Sequence, residues 1–326
     1  MQGFLADNIT LFIWAIFFVI SLFTVDGFAT PYNLKSYLIN CAALLIPAMG
    51  LTFPLLNGGL DMSMTAVISF VSTISAYILV STELAGTAMA IPVAIIVSVL
   101  IGAVVGAVNG LSVVKLKMPS FVASLSTMLI VSGMAVWFGS VYYEKVSLNG
   151  LPKAFLIIGG NSGCWYVPVL IAAVLFIISN WLLTKTLFGK QVYAVGINPK
   201  AAEISGIPVK RTIFLLSLIS GIFASLAGIM FTAKNGAGIT TLGDGMFINY
   251  AGAVVVGGTK PSGGFGGVRQ TLYGVLFIMW LSNILNLFGI EYTLYDTVKG
   301  VFILLAVVMG LYTNRLRTRA AVLASR

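Results

Sequence analysis

At 326 residues, with 59% hydrophobic and only 8% charged side chains, the chain is too apolar to hide its hydrophobic groups in one water-soluble core, and it reads as an integral membrane protein. The absence of histidine excludes His-based triads, His metal sites and imidazole proton shuttles. A net charge of +9 invites a nucleic-acid reading, but its distribution along the chain makes it a topology signal instead.

Crossing about 30 Å of hydrocarbon takes roughly 20 apolar residues. Candidate segments are predicted in chain order at 9–25, 39–57, 62–80, 89–110, 119–140, 165–184, 212–232, 246–258, 270–288 and 294–312. The expected fold is an all-α integral membrane protein of about ten transmembrane helices, one domain over 1–326. The first segment lacks a basic leader and a small-residue cleavage site, so it is expected to be a retained span. The eighth is short and glycine-rich, which predicts a broken or re-entrant helix. An even number of spans puts both termini on one side. With that side cytoplasmic, 13 of the 18 basic residues, every arginine among them, fall in inner loops and the tail. The outer segments then hold Lys35, Lys145, Lys153, Lys234 and Lys299.

Small residues are dense. "GAVVGAVNG" at 102–110 predicts close helix packing through Gly102, Gly106 and Gly110. Gly58-Gly59 closes the second segment and Gly257-Gly258 the eighth, a hint of internal duplication. Cys41 and Cys164 lie far apart in different settings, so neither a disulfide nor a metal cluster is expected.

The longest inner loop, 185–211, ends in "VYAVGINPKAAEISGIPVKR". Asn198 suits an N-cap and Pro199 a first helical position, while Gly206 and Pro208 stop the helix. Two turns of helix fall far below the 12–15 residues that an isolated helix needs for even marginal stability. The helix either lies on the bilayer or docks into a partner's groove. Its small apolar content (Ala201, Ala202, Ile204, Ile207) favours docking.

Here the residues resemble a family. "LFGKQVYAVGINPKAAEISGIPVK" is similar to the cytoplasmic coupling region of permease subunits of bacterial ABC-type sugar importers, in the branch that includes the ribose permease. The resemblance extends through "GLTFPLLNGGLDMS", "LKMPSFVASLSTM", "SLAGI", "AVVVGGTKPSGGFGGV" and "NLFGI". It implies two permease subunits forming a pathway in the bacterial inner membrane, alike or paralogous, and an external binding protein that delivers a monosaccharide or small polyol. Two cytoplasmic ATPases would bind ATP and Mg, leaving no cofactor in this chain. The coupling contact would fall on Asn198, Pro199, Lys200, Ala201, Ala202, Glu203, Ser205 and Gly206. Independently of the family, no G-x-x-x-x-G-K-[ST] phosphate loop occurs, because Gly189-Lys190 lacks both the upstream glycine and the following hydroxyl.

Among candidate site residues, Asp61 stands out, since an aspartate at mid-bilayer costs about 2.5–3.5 kcal/mol on insertion scales. It reads as a pathway or gating group, as a proton carrier, or as a cap on the helix that follows. Asn57, Asn109, Asn249, Tyr250, Asn283 and Asn286 are pathway contacts or helix–helix hydrogen bonds, with Phe53 and Phe121 as walls. Where the family commonly shows Glu-Leu-Asp-Ala, this chain has Phe247-Ile248-Asn249-Tyr250, which suggests a cargo other than ribose or one half of an unequal pair. The alternative function is an ion-coupled secondary transporter using Asp61, disfavoured by the scarcity of acidic groups within the spans. An enzyme is disfavoured because no acid–base pair occurs at helical spacing.

Overall fold

The computed structural model describes residues 9–143, 147–161, 163–291, 294–295, 297–302 and 304–305. Its helices are α1 (Ile9–Thr24), α2 (Pro31–Leu55), α3 (Met64–Val80), α4 (Ala90–Val114), α5 (Ser120–Tyr142), α6 (Lys153–Leu156), α7 (Tyr166–Lys185), α8 (Leu187–Ile197), α9 (Pro199–Ile204), α10 (Val209–Asn235), α11 (Met246–Gly257) and α12 (Val268–Leu287). A single 3-10 turn, Ile157–Gly159, follows α6. The first nine predicted segments each coincide with a helix. Among the described residues, six of these (α2, α4, α5, α7, α10 and α12) are long and apolar enough to cross a membrane, while α1, α3 and α11 are shorter apolar helices. The tenth segment is helical at 294–295, 297–302 and 304–305, and its remainder lies outside the described residues.

Three expectations need correction. α2 begins at Pro31, well before residue 39, because Thr30 Oγ1 accepts the Asn33 N–H at 3.3 Å and Pro31 is preorganised for a first turn. The polar residues Asn33, Lys35 and Ser36 hide that turn from a hydropathy reading. The stretch 185–211 is not a plain loop: it opens with the 11-residue α8, capped by Thr186 Oγ1 on the Gly189 N–H at 3.2 Å. The fold is all-α as expected, with one small addition: β1 (Ser147–Asn149) pairs antiparallel with β2 (Ala237–Ile239), Leu148 opposite Gly238. Lys299, counted among the outer charges, is buried and donates to Asn249 Oδ1 at 3.0 Å.

α2 is the hub. Its most apolar stretch is 83% buried, against 28%, 28% and 22% for those of α4, α5 and α7, which turn broad apolar faces outward as lipid-facing helices do. α2 packs on α10, α12, α7 and α11, and α10 in turn packs on α4 and α3. Between membrane helices there is no water to squeeze out, so close backbone approach carries much of the association. The α4–α10 seam achieves it as the glycine spacing predicts. A Cβ on Gly102 would fall 2.2 Å from the Gly221 carbonyl oxygen, one on Gly221 2.1 Å from that of Gly102, and one on Gly106 2.5 Å from that of Ser217. The α11–α12 seam repeats the device, with Gly257 against the Gln270 carbonyl and Gly274 against that of Ala253. Polar side chains add specific ties. Asn33 and Asn283 exchange amide hydrogen bonds of 3.0 and 2.8 Å, so Asn283 is a helix–helix contact.

After α10 the chain turns back into the bundle without forming a helix. The Ile239 N–H donates to Ser72 Oγ at 3.0 Å and the Gly243 N–H to Ser69 Oγ at 2.9 Å, so two amides of 237–245 are tied to serines of α3, while those of Leu242 and Asp244 close turns within the segment. Irregular backbone at membrane depth is tolerated only where protein buries it in this way. The 12-residue α11 continues from there. At 1.5 Å per residue it covers about 18 Å, short of a full crossing. The eighth segment is thus one unbroken short helix, preceded by the β2 strand and turns over 240–245 rather than broken within itself.

Replacing Gly221 by leucine should split the α4–α10 seam and lower the Tm of the detergent-solubilised protein by several degrees, or abolish folded expression. Gly133→Leu on α5, where an added Cβ meets nothing within 4 Å, should leave the Tm within about a degree. Equal effects at the two positions, read by thermal size-exclusion, would remove the seam from this account.

Candidate functional site

The break between α2 and α3 organises the polar interior. Residues 56–63 are non-helical, and Asp61 within them is only 4% exposed. Its Oδ1 accepts the Ser63 N–H at 3.0 Å and the Ser63 hydroxyl at 2.6 Å. Its Oδ2 accepts the Ser220 hydroxyl from the middle of α10 at 2.7 Å. From α4, Asn109 Nδ2 donates to Ser63 Oγ at 2.8 Å and lies 3.5 Å from Asp61 Oδ1. One carboxylate therefore caps the approach to α3 and ties it to α4 and α10. A buried carboxylate is tolerable when hydrogen-bonded in this manner.

A cavity of about 240 Å³ opens beside this knot, lined by Asn57, Asp61, Asn109, Ser120, Ser124 and Ser217 among others. The first turns of α5 hold its rim: Ser120 Oγ accepts the Leu60 N–H at 3.2 Å and the Ser124 hydroxyl donates to Leu60 O at 3.1 Å. Among the described residues, Asn109 Oδ1 at this cavity and the Tyr250 hydroxyl of α11 are fully buried without a hydrogen-bond partner. Unmet buried acceptors and donors beside a polar cavity are what water or a hydroxyl-bearing ligand satisfies. The structure thus brings Asn57 and Asp61 of the 56–63 break to one cavity with Asn109 of α4, while Tyr250 of α11 lies outside its lining. Phe53 packs against Phe223 with ring centroids 5.9 Å apart, inside the core. Phe247 stacks edge-on with Tyr250 at 5.4 Å. Two candidates stay apart: Phe121 is 46% exposed on the outside of the bundle, and Asn249 is engaged by Lys299.

At the same end of the bundle, α9 forms as its sequence predicts. Asn198 Oδ1 accepts the Ala201 N–H at 3.1 Å, Pro199 occupies the first turn, and Gly206 turns the chain away at φ +79°, a left-handed conformation that favours glycine. Ala202 is buried against its neighbours, whereas Lys200, Ala201, Glu203, Ser205 and Gly206 are exposed and Ile204 is 89% exposed. The helix is held from behind by a junction of three segments. A Cβ on Gly196, near the end of α8, would lie 2.0 Å from Leu56 O and 2.6 Å from the Gly264 nitrogen. The Gly264 N–H donates to Leu56 O at 2.7 Å, and the Tyr193 hydroxyl donates to Gly266 O at 2.8 Å. Burial raises the Tyr193 phenol above its ordinary range, so it remains a neutral donor at physiological pH. α8 and α9 are therefore joined by backbone contact to the segment that carries Asp61.

Ser63, Ser220, Tyr193, Gly196 and Gly264 escape sequence reasoning. Ser63 had a signal, lying two residues after the aspartate in an Asx-turn pattern. Ser220 had none, because a helical serine usually bonds its own backbone.

Ser220→Ala should cost about 1.5–3 kcal/mol, the range for a hydrogen bond to a charged group. In an Asp61→Asn background the same substitution should cost at least about 0.5 kcal/mol less, since the two residues share one interaction. Thermal unfolding of the four proteins in one detergent checks this, and strictly additive losses would show that Ser220 does not act through Asp61.

Comparison with known proteins places this geometry in a family. Residues 33–307 match the family model described as branched-chain amino acid transport system / permease component. The ribose import permease protein RbsC of Bacillus subtilis (strain 168) is 37% identical over 286 residues, 87% of this chain and 86% of the relative. The probable ABC transporter permease protein YphD of Escherichia coli (strain K12) is 33% identical over 310 residues, covering 95% and 91%. The L-arabinose transport system permease protein AraH of the same strain is 29% identical over 308 residues, covering 94% and 90%. No solved structure matches the chain. Such permeases are non-catalytic membrane components, and on the strength of the family match and of relatives aligned over most of its length, this chain is a member of the ABC transporter permease family.

Proposed function

We propose that the chain is the membrane-spanning subunit of an ATP-driven, binding-protein-dependent importer for a monosaccharide or related small polyol, in a bacterial inner membrane with both termini cytoplasmic. The observation that carries the reading is α9: a capped two-turn helix with its outer face exposed and its inner side packed on α8 and α10, α8 in turn meeting the Asp61 segment through Gly196. A helix too short to stand alone, presented at a tip and stiffened from behind, suits transmission of force from a partner. In this reading Asn198 to Gly206 form the contact with a cytoplasmic ATPase, which binds ATP and Mg, and this chain holds no cofactor. A second permease subunit completes the pathway, and an external binding protein supplies the sugar. The family description names branched-chain amino acids, but the relatives named for a substrate are ribose and arabinose permeases, which favours sugars.

The polar cavity fits that cargo class. It offers amide and hydroxyl groups and one already hydrogen-bonded carboxylate, with no cation among its lining residues. Neutral polyols exchange hydrogen bonds with such a surface and leave it readily, as a pathway requires. Asp61 serves as the fixed point of the pathway wall rather than as a proton carrier, because serine hydroxyls and a backbone amide already engage both of its oxygens.

A photo-crosslinking residue at Glu203, in native membranes, should capture a cytoplasmic ATPase. Capture of lipid alone, with the protein folded and abundant, would overturn the coupling role. In proteoliposomes holding the captured partner and the binding protein, pentose uptake should require ATP and persist when the proton gradient is collapsed. Uptake that follows the gradient instead would make the chain a secondary transporter.

A further inference from the structure

A second cavity, of about 390 Å³, lies between α7, α8 and α10, apart from the Asp61 site and unused by the proposed mechanism. Its walls are sorted by depth. Arg211, Leu215 and Ile219 follow one another on α10 at four-residue spacing, so they share a face and descend about 12 Å from the first turn towards the membrane interior. Leu182 on α7 and Phe188 on α8 close the sides, and Gln191 and Pro208 stand with Arg211 at the rim. The deep part is thus a cleft of branched and aromatic side chains, and the shallow part carries an arginine and an amide.

Those two rim groups are available. Among the described residues, no hydrogen-bond or ionic partner takes the Arg211 guanidinium or the Gln191 amide. Lys185, Lys190 and Lys210 are exposed close by on the same three helices, and the acidic residue nearest in sequence, Glu203, sits on α9 outside the lining. An unopposed guanidinium presents a planar fork of donors that matches a phosphate bidentately. An apolar cleft running inward directly beneath it matches the chain of the same molecule, and basic pockets between transmembrane helices are recognised sites for anionic headgroups.

From this we infer that the α7–α8–α10 cleft binds one anionic glycerophospholipid, its phosphate on Arg211 and Gln191 and an acyl chain along Leu182, Leu215 and Ile219. Charge selects the occupant over a zwitterionic lipid, and the apolar depth selects it over free phosphate. The inference does not depend on the transported substrate or on the coupling role of α9, so it stands or falls separately from them.

Native mass spectrometry of the full-length protein, stripped of lipid and then titrated, tests it. Phosphatidylglycerol should bind at least tenfold more tightly than phosphatidylcholine of the same chain length. Arg211→Gln should weaken phosphatidylglycerol at least fivefold, with Arg211→Lys between it and wild type. Leu215→Trp, which fills the cleft and leaves the charge in place, should weaken it comparably. Millimolar glycerol 3-phosphate should not displace the lipid. Equal binding of the two lipids, or Arg211→Gln and Leu215→Trp proteins of unchanged Tm that bind phosphatidylglycerol like wild type, would overturn the inference. Displacement by glycerol 3-phosphate would also overturn it, in favour of a soluble-phosphate site.

Discussion

The arrangement of this protein depends on one buried carboxylate. Asp61 interrupts the run from α2 to α3, and its two oxygens are taken up by Ser63 at the start of α3 and Ser220 in the middle of α10. Placing an ionisable group there is costly unless every lone pair finds a donor, so its satisfaction fixes the positions of three elements together. Asn109 draws α4 into the same knot through Ser63. The polar cavity is lined where this segment runs as turns and irregular backbone rather than as helix.

Around that fixed point the helices are brought close by omission of side chains. Glycines on α4 and α10 let backbones touch where any Cβ would collide, and α11 and α12 do the same through Gly257 and Gly274. Dispersion and hydrogen bonding substitute for the water-driven packing of soluble proteins. The two kinds of contact divide the work. The glycine seams set distances between helices, while the Asp61 knot and the Asn33–Asn283 pair set register. Both discontinuities, the 56–63 break and the 237–245 entry, are supported by serines of neighbouring segments, Ser120 and Ser124 for the first and Ser69 and Ser72 for the second.

The polar break is also in backbone contact with one end of the bundle. Gly196 presses α8 against both Leu56 and Gly264 without an intervening side chain, and α9 follows two residues later. In the proposed reading, a displacement of α9 would reach the Asp61 segment by way of this backbone contact of α8. Packed backbone shifts between discrete arrangements instead of deforming smoothly, which suits a gate. The lipid-facing cleft beside α8 and α10 sits at the same end but opens away from the Asp61 cavity, so its occupant would brace the helices without entering the pathway.

Composition alone required a membrane protein, and hydropathy located nine helices because a span's length is dictated by the bilayer and not by its neighbours. The glycine spacing at 102–110 announced a close seam, and Asn198, Pro199 and Gly206 announced a capped short helix, since both signals are local and each residue type has one strong physical use there. Asp61 could be singled out, but its role could not be chosen, because capping, gating and proton carriage all use the same side chain. Only the tertiary structure supplied its partners, bringing Ser220 from a position 159 residues away onto its second oxygen. The same holds for Tyr250 and Asn109 beside it, and for Tyr193 on Gly266. Hydrogen bonds across a fold depend on which helix faces meet, and in lipid nearly any apolar face can meet any other, so sequence periodicity leaves the choice open until the polar groups find one another.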